Sequence, residues 1–373
     1  MANGRHKHRL AFYGFHTSPG GIGRVMVNLM NGLIEEDVDV DLLLPRTEGP
    51  DLPYVRHEVR VIETGNHGLL PGVSFVARYL SREQPKTLLA NKERANRVSI
   101  LAQQITKTRT SIVIRVGTTI SSMLMQRPLL KRWLQYHGIL YCFRRARGVI
   151  AVSRGIARDI EKLTGLPPGQ IHVIENPTVS ADILDKAREP VNHPWFVPGS
   201  PPVILAVGRL VRPKDFPTLL RAFSRVRATG DCRLVICGEG KERLSLDTLA
   251  QELGIQEYVD LPGFVDNPFA YMSRAALFVL SSAWEGSPNA LIEALAVGLP
   301  VVATDCPSGP REILEEGRYG PLVPVGDVNG LANAILETLA NPRERAFLQQ
   351  AAQPFQVATS VRAYLAAMIP GEL

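Results

Sequence analysis

Apolar residues along this chain fall into short runs of strand length, separated by longer stretches with helical spacing. Residues 9–15 (RLAFYGF) predict a strand, SPGGIG a glycine turn, and VMVNLMNGLI a helix. VDLLLP (40–45), SIVIRV (111–116) and GVIAVS (148–153) predict further strands, with helical segments between them. The stretch 177–201 then carries five prolines and no periodic element. Beyond it the alternation restarts: PVILAVG (202–208), CRLVICG (232–238), VDLPG, ALFVLSS (276–282) and PVVATD (300–305) each precede a helical stretch.

This pattern is that of an α/β chain with two doubly wound, Rossmann-like domains, each a parallel sheet covered by helices. The predicted boundaries are 1–180 for the first domain, 181–200 for a linker and 201–354 for the second domain. A last helix in 355–373 (SVRAYLAAMI, 360–369) is expected to pack back on the first domain. Two such domains make a cleft between the carboxyl ends of their sheets, the edge where open α/β sheets bind ligands.

Length and composition agree: 373 residues suit two or three domains, and 45% hydrophobic with 21% charged residues is ordinary for a globular chain. No run reaches the ~18 apolar residues of a spanning helix, and the N-terminus lacks a signal-peptide core. Cys142, Cys232, Cys237 and Cys306 have neither disulfide-scaffold nor metal-ligand spacing. A reducing, cytoplasmic compartment is expected, with a peripheral position at the inner membrane face as the further expectation.

Charge changes the picture more. The net charge is +6, but residues 1–186 hold 26 Lys/Arg against 16 Asp/Glu, and the remainder 16 against 20. Between Glu93 and Asp159 there are thirteen basic residues and no acidic one. Such a window is either a solvated face or a surface for anionic partners. It lacks zinc-finger spacing and RNA-binding signatures, so an anionic membrane surface or a phosphate-bearing acceptor is expected rather than nucleic acid.

Candidate chemistry gathers in the second domain. SSAWEGSPNALIEALAVGLPVVATD runs strand, turn, helix, strand, with Glu285 in the turn and Glu293 about one turn into the helix. Free N–H groups at that helix start favour a diphosphate, and the carboxylates can accept hydrogen bonds from sugar hydroxyls. The plain alternative is two helix-start acids that complement the macrodipole. GRLVRPKDFPTLL places Arg209 and Lys214 on the loop after the domain's first strand, where two cations can neutralise two phosphates. CPSGPREIL puts Ser308 and Gly309 at the next strand-to-helix turn. DVDVD (37–41) contains Asp-x-Asp, a metal-binding pattern, but at the wrong edge of the sheet, so it reads as a turn.

Taken in order, GGIGR, GRLVRPKDFPTLLRAF, CGEGKER, LPGFVDNPFAYMSRAALFVLSSAWEGSPNALIEALAVGLPVVATDCPSGPREIL and YGPLVPVGD resemble the retaining GT-B glycosyltransferases of family 4. The resemblance is dense over 202–327 and continuous through RARGVIAVSRGIARDI and IHVIENP. ANKERAN (90–96) and IRVGTTIS (114–121) look closest to bacterial surface-glycan enzymes.

The resemblance implies a GT-B fold and transfer of a hexose or N-acetylhexosamine from a nucleotide sugar, UDP-linked, to a lipid-linked or growing glycan. It implies retention of configuration and no metal or cofactor. Arg209 and Lys214 would hold the diphosphate, Glu293 the ribose, and Glu285 the donor sugar near Gly286, Ser287 and Asn289. Gly20 and Gly21 would let the first domain's backbone approach the donor, and Phe264 and Val265 would meet the base. His16, His137 and Thr118 are candidate sugar contacts. The family often carries His or Asp after the strand IRVGTT, where Arg115, Gly117 and Thr118 stand here. Two other activities fit the same motifs: a glycosyltransferase with a soluble small-molecule acceptor, and a non-catalytic nucleotide-sugar-binding protein. A nucleotide-sugar epimerase is a further alternative.

Overall fold

A computed structural model of the chain describes residues 8–15, 21–46, 51–65 and 68–369. The chain divides into two compact units, 1–177 with 357–373, and 178–356.

The first unit is built on a seven-stranded sheet of β1 (Arg9–Tyr13), β2 (Asp39–Leu44), β3 (Arg60–Glu63), β4 (Thr87–Asn91), β5 (Ser111–Val116), β6 (Gly148–Ala151) and β7 (Ile171–Val173). All pairings are parallel, in the order β3-β2-β1-β4-β5-β6-β7. β4 is buried along its whole length, so it shows no apolar–polar alternation, and even Thr87 and Asn91 at its ends are buried. Its helices are α1 (Gly21–Glu35), α2 (Leu69–Glu83), α3 (Glu93–Thr106), α4 (Ile120–Met125), α5 (Leu129–Phe143) and α6 (Arg154–Thr164).

The second unit begins with α7 (Ile183–Arg188) and carries six parallel strands: β8 (Val203–Val207), β9 (Arg233–Cys237), β10 (Val259–Gly263), β11 (Leu277–Leu280), β12 (Val301–Thr304) and β13 (Leu322–Val323). Their order is β10-β9-β8-β11-β12-β13. Its further helices are α8 (Phe216–Arg227), α9 (Arg243–Glu252), α10 (Pro268–Met272), α11 (Asn289–Ala296), α12 (Pro310–Ile313), α13 (Val328–Ala340) and α14 (Arg345–Gln350). Each sheet has an apolar cluster on both faces.

The chain returns to the first unit through α15 (Val357–Met368), which lies against α1. Gly32 makes that approach close, since a Cβ there would stand 2.6 Å from Val361 Cγ2. Thr87 Oγ1 donates to the Met368 carbonyl at 2.6 Å.

The stretch 181–200 differs from a bare linker. Ile183 and Ala187 of α7 are buried in a core cluster of the second unit. Asn267 Nδ2 and Ser273 Oγ donate to the carbonyls of Lys186 and Ala187 at 2.8 and 2.6 Å. A six-residue helix is too short to display a period, and its apolar residues, with Trp195 and Phe196, give the segment something to bury.

The Asp-x-Asp run is a structural element. Asp37 turns the chain with φ of 61° and Asp39 opens β2. Buried Asp41 accepts hydrogen bonds from Arg60 Nε and Nη2 at 2.9 and 2.6 Å and from Tyr79 Oη at 2.6 Å. Among the described residues no helix is long and apolar enough to cross a membrane.

Candidate functional site

In the second unit the strand order reverses between β8 and β11, which are hydrogen-bonded neighbours. Loops leaving such a pair run to opposite sides of the sheet and open a crevice at its carboxyl edge. The loop after β8 carries Arg209 and Lys214, and the loop after β11 carries Glu285.

These two loops are joined. Lys214 Nζ donates to Glu285 Oε1 at 2.6 Å, and both side chains are largely buried, at 20% and 13% exposure. Ser282 Oγ donates to the same oxygen at 2.6 Å. The backbone is tied as well: Ser281 Oγ donates to the Lys214 carbonyl at 2.8 Å, and Ala283 N to the Pro213 carbonyl at 2.8 Å. Lys214 thus lies in a fixed place, its stem passing close over Gly208, where a Cβ would be 3.2 Å from Cε. Arg209, by contrast, is exposed, and its guanidinium has no ion pair among the described residues.

The next loop, after β12, closes on the same place. Ser308 Oγ donates to the Gly286 carbonyl at 3.0 Å, and Thr304 Oγ1 to the Ser282 carbonyl at 2.6 Å. Gly309 has φ of 95°, and a Cβ there would stand 2.6 Å from Pro288 Cδ. Cys306 sits beneath; burial, with the Glu285 carboxylate nearby, pushes its thiol up to about 12. Pro288 caps α11 and Asn289 opens it, while Thr178 Oγ1 donates to Asn289 Oδ1 at 3.2 Å. Glu293, five residues into the helix, is only 4% exposed.

The loops after β9 and β10 complete the edge by backbone contact. Gly238 N donates to the Gly263 carbonyl at 2.7 Å and Leu210 N to the Glu239 carbonyl at 2.8 Å. A Cβ on Gly238 or Gly240 would fall 1.9 Å from the Gly208 oxygen or 2.2 Å from the Leu210 oxygen. Beyond Gly263, Phe264 is exposed and Val265 packs partly into the core.

The first-unit candidates are not gathered in this way. His16 and Gly20 lie outside the described residues, and Gly21 is exposed at the start of α1. Thr118 is exposed in the loop after β5. His137 lies on α5, its ring 4.5 Å from that of Trp133 and 5.2 Å from that of Tyr136. Arg115 is buried: its Nε donates to Tyr364 Oη at 3.0 Å and its Nη2 to Asn176 Oδ1 at 2.6 Å. This cation therefore joins β5 to α15 and to the segment just after β7. The parts of Ser282, Cys306 and Arg115 are not legible in the sequence: Ser282 and Cys306 lie just past β11 and β12, in loops that carry no periodic signal, and a single arginine inside the apolar strand β5 does not show its partners.

The sequence matches the family described as "Glycosyl transferases group 1" over residues 188–354 and "Glycosyltransferase Family 4" over residues 19–179. It is 31% identical over 255 residues to a Campylobacter jejuni enzyme, N-acetylgalactosamine-N,N'-diacetylbacillosaminyl-diphospho-undecaprenol 4-alpha-N-acetylgalactosaminyltransferase, covering 68% of this chain and 66% of that one. It is 31% identical over 199 residues to the lipopolysaccharide core biosynthesis glycosyltransferase LpsE of Rhizobium meliloti, covering 53% and 56%. The chain thus spans between about half and two thirds of the length of these curated relatives. Among solved structures, Anabaena HepE in complex with UDP and glucose superposes with a TM-score of 0.80 over 98% of this chain and 100% of that one, at 20% identity, which establishes a shared GT-B fold.

Proposed function

Since the chain belongs to the two-domain glycosyltransferases that these two family descriptions define, we propose that it moves a hexose or N-acetylhexosamine from a UDP-sugar to a lipid-linked or growing glycan. The reading includes retention of configuration, no metal, and action at the cytoplasmic side of the inner membrane. The observation that carries it is the fixed Lys214–Glu285–Ser282 cluster beside exposed Arg209 at the strand-order reversal. A diphosphate placed there meets two cations from one loop and the N–H groups opening α11 from another.

In this reading Arg209 and Lys214 hold the diphosphate and stabilise charge on the leaving group. Glu285 contacts the donor sugar and orients Lys214; backbone groups of Gly286, Ser287 and Asn289 line the same wall. Glu293 takes the ribose hydroxyls, and the backbone at Phe264 and Val265 meets the base. The acceptor hydroxyl attacks the anomeric carbon on the face the diphosphate leaves. The new C–O bond forms as the C–O bond to phosphate breaks, and the departing phosphate oxygen takes the hydroxyl proton. No protein nucleophile is required, so the carboxylates bind and polarise. The acceptor class follows the activities for which the two relatives are named, which concern an undecaprenol-diphosphate glycan and a lipopolysaccharide core.

The test is turnover of UDP-sugars with diphosphoprenyl-linked acceptors, with and without EDTA, and NMR of the product's anomeric configuration. An α-linked product from an α-linked donor, formed equally in EDTA, is expected. Inversion, or loss of turnover in EDTA, would overturn the mechanism.

A further inference from the structure

Over the first two turns of α5 the helix is turned inside out. Leu129, Leu130, Trp133 and Leu134 occupy one face, and they are 77%, 71%, 59% and 55% exposed. Met125, at the end of neighbouring α4, is 75% exposed. The polar side of the same turns looks into the protein: Gln135 Nε2 donates to Glu93 Oε2, and Tyr136 Oη to the Leu163 carbonyl at 3.0 Å. Apolar side chains scattered singly on a surface are ordinary, but a contiguous group of this kind marks a contact site.

The charges around it choose the occupant. Arg127, just before α5, and Lys131, at the border of this face, are exposed, and Arg144, Arg145 and Arg147 are exposed just beyond the far end of α5. No acidic residue occurs anywhere between Glu93 and Asp159. A second copy docked on the same face would bring like charges together. An anionic lipid surface satisfies both features: tryptophan and leucine enter the boundary between headgroups and acyl chains, and long cationic side chains reach the phosphates.

We infer that α4 and the start of α5 are a membrane-docking face, which lays the first unit on an anionic bilayer with Trp133 at headgroup depth. The inference deepens the proposed function and rests on its choice of a lipid-linked acceptor, for it names the surface that brings the enzyme to such an acceptor.

The full chain would be sedimented with phosphatidylcholine vesicles, with and without phosphatidylglycerol, and Trp133 emission would be read against brominated lipid, with Trp133→Phe as the assignment control. Binding that requires phosphatidylglycerol and quenching lost in Trp133→Phe are expected. Leu129→Glu with Trp133→Glu should lower partitioning roughly tenfold or more. Arg127→Glu with Lys131→Glu, which alters exposed charge alone, should do likewise. No sedimentation, partitioning indifferent to phosphatidylglycerol, or both variants partitioning as strongly as the unsubstituted chain would overturn the inference. So would a vesicle-free dimer that the Leu129/Trp133 variant abolishes, since the face would then belong to a second copy. The melting response to UDP is read separately on the same proteins: its absence sinks the donor reading, and vesicle binding decides this one.

Discussion

Lys214 Nζ stands 2.6 Å from Glu285 Oε1, joining the loop after β8 to the loop after β11 at the place where the strand order of the second unit reverses. Two residues assigned separate parts in donor binding therefore form one unit, and Ser282 holds it from the strand side. In such a unit the carboxylate sets where the ammonium can meet a phosphate.

Glu285→Ala is expected to lower turnover about 10²- to 10³-fold, the scale of losing one preorganised charge at a developing negative centre. Lys214→Ala should do the same, and the double variant should be hardly worse than either. A double-mutant cycle on activity gives a coupling about as large as either single loss, about 3–4 kcal/mol, if the pair acts as one unit. Additive losses would mean the residues work independently.

Gly238→Ala should destabilise the second unit by about 2 kcal/mol or more, through a left-handed φ of 153° and a Cβ 1.9 Å from the Gly208 oxygen. Gly230→Ala, where a Cβ meets nothing within 4 Å, should stay within roughly 0.5 kcal/mol. Urea unfolding of the pair checks this, and equal effects would contradict the close approach of the β8 and β9 loops.

Arg115→Ala removes a buried guanidinium bonded to Tyr364 and Asn176 and should cost about 3 kcal/mol. Tyr364→Phe leaves Arg115 Nε unpaired and should cost about 1–3 kcal/mol. Hydrogen exchange in α15 should rise in both. Unchanged protection there would show that Arg115 does not tie the terminal helix to β5.

Alkaline pH should weaken the fold through its thiols. Burial pushes Cys142 up to about 11 and Cys237 and Cys306 up to about 12, against a usual 9.0. The unfolded chain loses these protons first, so their contribution is complete below pH 9.0 and falls as pH rises from there towards 12. Urea midpoints from neutral to alkaline pH should decline, and Cys237→Ala should flatten the decline. A midpoint that holds steady above pH 9.0 would contradict the burial argument.

Much of the fold is legible because strands buried on both faces announce themselves as apolar runs: SIVIRV is β5 residue for residue. The two-sheet α/β architecture follows from that rhythm. The sequence places Lys214 and Glu285 on loops at one sheet edge, but their contact depends on β8 and β11 being neighbours, and 71 residues separate them. Arg115 sits in an apolar strand with partners 61 and 249 residues away, so its role is invisible without topology. The α7 segment hides for the opposite reason, since six residues are too few to repeat. At α5 the ordinary rule that an apolar face turns inward gives the wrong side, and only the exposures of Leu129, Leu130 and Trp133 reveal it.

A nucleotide-sugar donor site at the β8–β11 reversal is tested by the melting temperature with UDP, GDP and ADP and their sugar conjugates, with and without EDTA. A ligand that binds only the folded state at a hundred times its Kd adds about 2.7 kcal/mol, a shift of several degrees for a chain of this size. A clear shift with UDP and its conjugates is expected, unchanged by EDTA and lost in Arg209→Ala. A flat response to every nucleotide, or a UDP shift that survives Arg209→Ala, would contradict a donor site there.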